Sequence, residues 1–277
     1  MLKSILIGLD GSDYSEVALE LGLQWAKQCD AVLVGLGIVD VPTSRSHEPV
    51  PIGGGLFRME RDEDRIAAAR GKVERRLDAF NDRCDRAGVS CKVIDEAGLP
   101  YEEILRKSHR HDLVLLGHET HFHFETHDKP DQTLWRVLRR ESRPVAIAPP
   151  QLQPGSSVVL AYDESPQADR ALQAFQASGL DFGEEVVVLC IGTTEEQAGG
   201  QAEEAVEYLQ SHGIRAASCP RMSSAPTGQI IVQEVRNRRA RLLVMGVSRH
   251  STLRDLLLGG VTKTVLRESP APVFFSD

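Results

Sequence analysis

Short, unbroken aliphatic runs alternate along this chain with longer stretches in which apolar residues return every third or fourth position among charges. Residues 31–38, 89–94 and 114–116 are runs of the first kind, as expected of parallel strands covered on both faces. Residues 60–87 are the clearest stretch of the second kind. Ile66, Val73, Leu77, Phe80 and Cys84 recur there at helical spacing, and Gly88 is placed to end the helix. Alternation of this kind predicts an α/β fold with a doubly wound, mainly parallel sheet flanked by helices. Such sheets bind ligands beyond the carboxyl ends of their strands, where strand order reverses.

The pattern occurs twice. Ile5-Leu6-Ile7-Gly8-Leu9-Asp10-Gly11-Ser12 is answered by Val158-Val159-Leu160-Ala161-Tyr162-Asp163-Glu164-Ser165, with Asp10 and Asp163 separated by 153 residues. Further on, Gly117 closes a strand-like run as Gly246 does, at a separation of 129, and Ser142-Arg143-Pro144-Val145 matches Pro270-Ala271-Pro272-Val273 at 128. The fall from 153 to 129 places 24 additional residues in the first copy. Residues 41–65, with Pro42, Pro49, Pro51 and the run Gly53-Gly54-Gly55, are read as that insertion and as a loop. The proline-rich residues 149–155 are read as a stiff linker between the copies. The search for function therefore narrows to Asp10, Asp163 and the segments after Gly117 and Gly246.

Composition removes several classes of partner. With 32 basic against 40 acidic side chains the net charge is −8, which repels nucleic acid and anionic lipid. No run approaches the ~20 apolar residues that span a bilayer. The N-terminus passes from Met1-Leu2-Lys3 straight into a strand-like segment without the layout of a signal peptide, so a cytoplasmic protein is expected. Five cysteines without a C-x-x-C pair read as reduced thiols in the core.

The end of the second copy resembles the universal stress protein family. Its ATP-binding members carry G-x-x-G, nine residues, then G-[S/T], and their first strand typically ends in a D-G-S turn. Here Gly246, Gly259 and Gly260 stand in the second copy, and Asp10-Gly11-Ser12 and Asp163-Glu164-Ser165 stand at the two first-strand ends. The resemblance covers residues 1–149 and again 156–277. It implies two tandem units of the adenine-nucleotide alpha hydrolase-like fold, each a five-stranded mainly parallel sheet. The last strands, 145–148 and 273–275, should pair antiparallel about a pseudo-twofold, so that one chain mimics the homodimer of single-domain relatives; a further homodimer is also compatible.

By the same resemblance ATP or another adenine nucleotide would bind in the second copy, at Asp163, Met245, Gly246, Arg249, Gly259, Gly260 and Val261. Backbone N–H groups at a glycine-rich strand end and the positive start of the next helix suit a phosphate. The glycines have a purely structural reading too, as a tight turn and close helix packing. Arg249 replaces the motif's second glycine and Gly260 its hydroxyl residue. In the first copy the corresponding pair is Asp131-Gln132, where a carboxylate would repel phosphate.

Between Gly117 and Asp128 lie four of the nine histidines. His118, His121 and His123, with Glu119 and Glu125, form a candidate zinc set, against the plainer reading of a solvated polar loop. No G-x-G-x-x-G follows either first strand and no G-x-S-x-G elbow is present, so neither a dinucleotide-dependent dehydrogenase nor a serine hydrolase is indicated. Three functions stay open: a nucleotide-responsive regulatory module in the stress response with an unknown protein partner, a scaffold binding a protein, lipid or metal through residues 41–65, and a weak ATPase.

Overall fold

The computed structural model describes residues 1–41, 55–122, 130–247 and 259–277. The first half supplies β1 (Ser4–Gly8), α1 (Asp13–Cys29), β2 (Val32–Val39), α2 (Gly55–Ala87), β3 (Cys91–Ala97), α3 (Pro100–Ser108), β4 (Leu113–Leu116), α4 (Thr133–Arg140) and β5 (Val145–Ile147). The second supplies β6 (Ser157–Tyr162), α5 (Pro166–Ser178), β7 (Glu185–Gly192), α6 (Glu195–Ser211), β8 (Ala216–Met222), α7 (Thr227–Asn237), β9 (Ala240–Gly246), α8 (Gly260–Glu268) and β10 (Val273–Ser276). All ten strands join one sheet, in the order β3-β2-β1-β4-β5-β10-β9-β6-β7-β8. Each half thus has the same strand order, and the two meet where β5 and β10 pair antiparallel, Val273 opposite Ile147 and Phe275 opposite Val145.

Local chemistry explains where the helices begin. Ser12 caps α1 by accepting the Ser15 N–H at 3.2 Å, and Ser165 caps α5 by accepting the Ala168 N–H at 3.1 Å, with Pro166 preset for the first turn. The left-handed residues Gly88 and Gly179 follow α2 and α5. The sheet separates two cores. Leu19, Trp25, Val73, Phe80, Phe175 and Leu209 from α1, α2, α5 and α6 cover one face. Ile104, Leu138, Val235 and Leu266 from α3, α4, α7 and α8 cover the other. Because both faces are covered, the strands carry aliphatic residues on either side.

One expectation needs correction. The predicted loop over residues 41–65 is helical from Gly55 onward, since α2 continues five residues upstream of the predicted start at Glu60; residues 42–54 lie outside the described residues. A run of good helix formers, Met59 to Asp64, carries the helix back through a segment whose glycines suggested a loop. Cys29, Cys84, Cys190 and Cys219 are buried, whereas Cys91 is partly exposed and so departs from the expectation of five core thiols.

Candidate functional site

The order of strands reverses between β1 and β4 in the first half and between β6 and β9 in the second, which creates two crevices of one design. At the floor of each lies a glycine against a helix start. A Cβ on Gly117 would stand 2.7 Å from the Tyr14 carbonyl carbon, and one on Gly246 would stand 2.6 Å from the Gln167 carbonyl carbon. Both positions exclude a side chain because the backbone of α1 or α5 occupies its place. Gly246 therefore has the packing role that was one of its two readings, with Met245 buried beside it in β9.

The turns after the two first strands also match. Gly11 has φ 75° and Glu164 has φ 57°, so the second half holds a non-glycine residue in the left-handed region that this turn requires. Gln201 from α6 donates to the Glu164 carboxylate at 2.8 Å and braces it.

Around these common features the two crevices differ in what already occupies them. In the first, Asp10 is buried and both its carboxylate oxygens are used: Oδ1 accepts from the Ser12 backbone at 2.9 Å and its hydroxyl at 2.7 Å, and Oδ2 accepts from the His121 N–H at 2.5 Å. Asp131, also buried, is likewise committed. It accepts from the Thr120 hydroxyl at 2.6 Å and from the Phe122 and Thr133 N–H groups, both at 2.7 Å. These two N–H groups come from the strand-following segment and from the first residue of α4, the pair of elements suited to a phosphate. The sequence suggested a carboxylate that would repel an anion here. The structure adds that this carboxylate is bonded to both of these N–H groups. Arg76 from α2 lies against the Gly11 turn as well.

In the second crevice the corresponding groups are open. Asp163 is exposed, and among the described residues its Oδ1 accepts only the turn bond from the Ser165 N–H, at 3.1 Å. Gly259, at the position of Asp131, is the N-cap of α8 and brings no side chain to it. Around both Gly259 and Gly260 a Cβ would meet none of the described residues within 4 Å, and both glycines are exposed. Val261, in the first turn of α8, packs partly against the core. Asp163, Gly246, Gly259, Gly260 and Val261 belong to the elements that frame this crevice, whereas Arg249 lies outside the described residues.

Of the candidate zinc set, two histidines are described. His118 and His121 flank the Tyr14 ring, with centroids 5.8 and 6.1 Å away, and His121 Nε2 stands 3.7 Å from a Glu119 oxygen. Burial pushes the His118 pKa down, against the smaller opposing effect of Glu119. His123 lies outside the described residues, and among the described residues no three His, Cys, Asp or Glu side chains converge as metal ligands. His109 follows α3 on the surface and His111 Nδ1 lies 2.5 Å from the Ser4 hydroxyl, so both end up in structural places. Among the described residues no helix is long and apolar enough to cross a membrane.

Comparison with known proteins agrees with this geometry. The sequence profile of the universal stress protein family matches residues 1–149 and, separately, residues 156–275. Universal stress protein Slr1230 from Synechocystis sp. is 23% identical over 287 aligned positions, spanning 98% of this chain and 99% of that protein. A universal stress protein from Archaeoglobus fulgidus has a TM-score of 0.76 at 20% identity, over 99% of this chain and 98% of its own. A functionally unknown protein from Pseudomonas aeruginosa has a TM-score of 0.63 at 14% identity, over 99% and 92% respectively. At such identities the solved structures speak for the fold. The profile, matched once in each half, speaks for kinship: the chain belongs to the universal stress protein family, as a tandem of two of its units.

Proposed function

We propose that the second half binds an adenine nucleotide in the crevice beyond β6 and β9, that the first half binds none, and that occupancy governs association with a protein partner. The single observation that carries this reading is the contrast at one repeated position. Asp131 fills the anion-receiving backbone of the first half from within, whereas no side chain among the described residues accepts from the start of α8 at Gly259. An uncapped helix start in an exposed glycine pair suits a phosphate, and a nearby open carboxylate, Asp163, suits a ribose hydroxyl or a base N–H. The chain needs no covalent chemistry for this, which fits a regulatory module.

Native mass spectrometry of the freshly purified full chain, followed by titration with ATP and AMP, tests the reading. A 1:1 nucleotide complex is expected, lost in Gly259→Asp, which gives the second half the carboxylate that the first half has at Asp131. Apo protein that ignores both nucleotides, or a Gly259→Asp variant that binds them as tightly as the parent, would overturn it and favour a nucleotide-independent scaffold.

A further inference from the structure

A second concave site lies between the halves, apart from both crevices' glycine turns. It is a cavity of about 830 Å³, walled by α4 from the first half and α8 from the second, with Tyr101 of α3 on one side. Arg136, Arg139, Arg140, Lys263 and Arg267 line it, against two carboxylates, Glu119 and Asp131. Asp131 is already committed to three hydrogen bonds. A chain of net charge −8 thus gathers five basic side chains at this junction.

Two of the arginines are held in place by one aromatic ring. The guanidinium carbons of Arg136 and Arg140 stand 4.7 and 5.3 Å from the centroid of the same Tyr101 ring. Among the described residues neither arginine, nor Lys263, forms an ion pair. Arg267 pairs only with the adjacent Glu268 at 2.5 Å and is 74% exposed. The arrangement is unfavourable for an empty protein. Arg136 and Arg140 are like charges four residues apart on one helix, and Lys263 lies in the first turn of α8, where a cation opposes the helix dipole. A bound anion would relieve both the repulsion between the two arginines and the opposition to the dipole at the start of α8.

We infer that this junction cavity is a binding site for a small polyanion carrying two or more phosphate groups, held between Arg136 and Arg140 of one half and Lys263 of the other. The cavity volume falls within the range of small-molecule sites, ~300–1,000 Å³, and below what a folded partner requires. Guanidinium forks suit phosphate oxygens in bidentate fashion, and several cations across two helices call for a ligand with more than one anionic group. Since its walls come from both halves, ligand there ties α4 to α8. The site is independent of nucleotide binding in the second crevice.

Trp135 makes the test direct, because it lines the cavity and is 36% exposed while the chain's other tryptophan, Trp25, is buried. The full chain is titrated with inorganic tripolyphosphate, followed by tryptophan emission and by calorimetry, with citrate in a parallel arm. Saturable 1:1 binding that perturbs Trp135 is expected. It should weaken about tenfold in Lys263→Gln and further in the double variant Arg136→Gln/Arg140→Gln, and be unchanged in Lys92→Gln on the distant β3. An absence of saturable binding to the parent chain would overturn the inference. So would equal weakening by Lys92→Gln, which would mean diffuse charge attraction, or citrate binding as tightly as tripolyphosphate, which would remove the phosphate assignment.

Discussion

Replacing Asp131 with alanine removes an anion that the first half carries as part of its own fold, and its consequences can be worked out bond by bond. The carboxylate accepts three hydrogen bonds, from Thr120 Oγ1, Phe122 N and Thr133 N, and the residue is only 9% exposed. Hydrogen bonds to a charged acceptor contribute about 1.5–3 kcal/mol each, and the loss of a helix-capping acceptor alone costs about 1 kcal/mol. The hydroxyl of Thr120 can turn elsewhere, so the two orphaned N–H groups dominate. With some water entering the gap, the expected loss is about 3 kcal/mol. For a chain of this size that lowers the thermal midpoint by about 6–12 °C.

The more discriminating readout is rescue. If Asp131 stands where an anion would bind, the emptied cradle of Asp131→Ala should accept inorganic phosphate. At a concentration tenfold above the dissociation constant, phosphate would restore about 1.4 kcal/mol. Phosphate also stabilises folded proteins in general by exclusion from their surface, so the quantity to compare is the gain of the variant over that of the parent in a thermal scan with phosphate or chloride at matched ionic strength. A variant that loses less than about 1 kcal/mol, or that gains no more from phosphate than the parent does, would refute the reasoning.

Three other perturbations give sharp expectations. Glu164→Gly relieves a left-handed backbone at a non-glycine residue and should stabilise the chain by about 0.5–1 kcal/mol in urea unfolding; a loss would show that the Gln201 bond outweighs the strain. Gly246→Ala forces a methyl to within 2.6 Å of the α5 backbone and should cost about 2 kcal/mol, whereas Gly259→Ala, with open space around it, should change stability by less than about 0.5 kcal/mol; equal effects would contradict the packing role of Gly246. For the buried Glu234, burial works against the charged form, but the hydrogen bonds and charges of Arg221 and Arg238, at 2.9 and 3.1 Å, outweigh it and hold its pKa below the ordinary range. A carboxyl depressed in the folded state contributes stability above its unfolded value of about 4.3, and the contribution is lost as pH falls through the lower folded value. Glu234→Gln should therefore cost about 2 kcal/mol at pH 7, with the gap closing below about pH 4; a gap independent of pH in urea titrations would sink the assignment.

Much of the fold was legible because its signals are local and periodic. The aliphatic runs marked strands and the spacing over residues 60–87 marked a helix, whereas the antiparallel joint of the last strands came from the family resemblance alone. The beginning of α2 was not legible, since Gly53-Gly54-Gly55 carries a loop signal that the following helix formers override. At the candidate site the residue positions were visible and their partners were not. The bond from Phe122 N to Asp131, the stacking of Tyr14 with His118 and His121, and the crowding of Gly246 by Gln167 each join segments that only the closed sheet brings together. Sequence gave Asp131 a charge without its donors, and so foresaw repulsion where there is replacement.

The β5–β10 ladder has an evolutionary corollary. When two separate identical subunits pair, any substitution appears in both, and a change that closes one site closes its twin. Covalent joining of the two halves, sealed by backbone pairing of Val145, Ala146 and Ile147 with Phe275, Phe274 and Val273, makes the unlike pair obligatory and lets each site drift alone. A lineage built this way can convert one pocket into internal scaffolding at Asp131 while its counterpart at Gly259 stays open to selection, at a fixed ratio of one to one in every molecule.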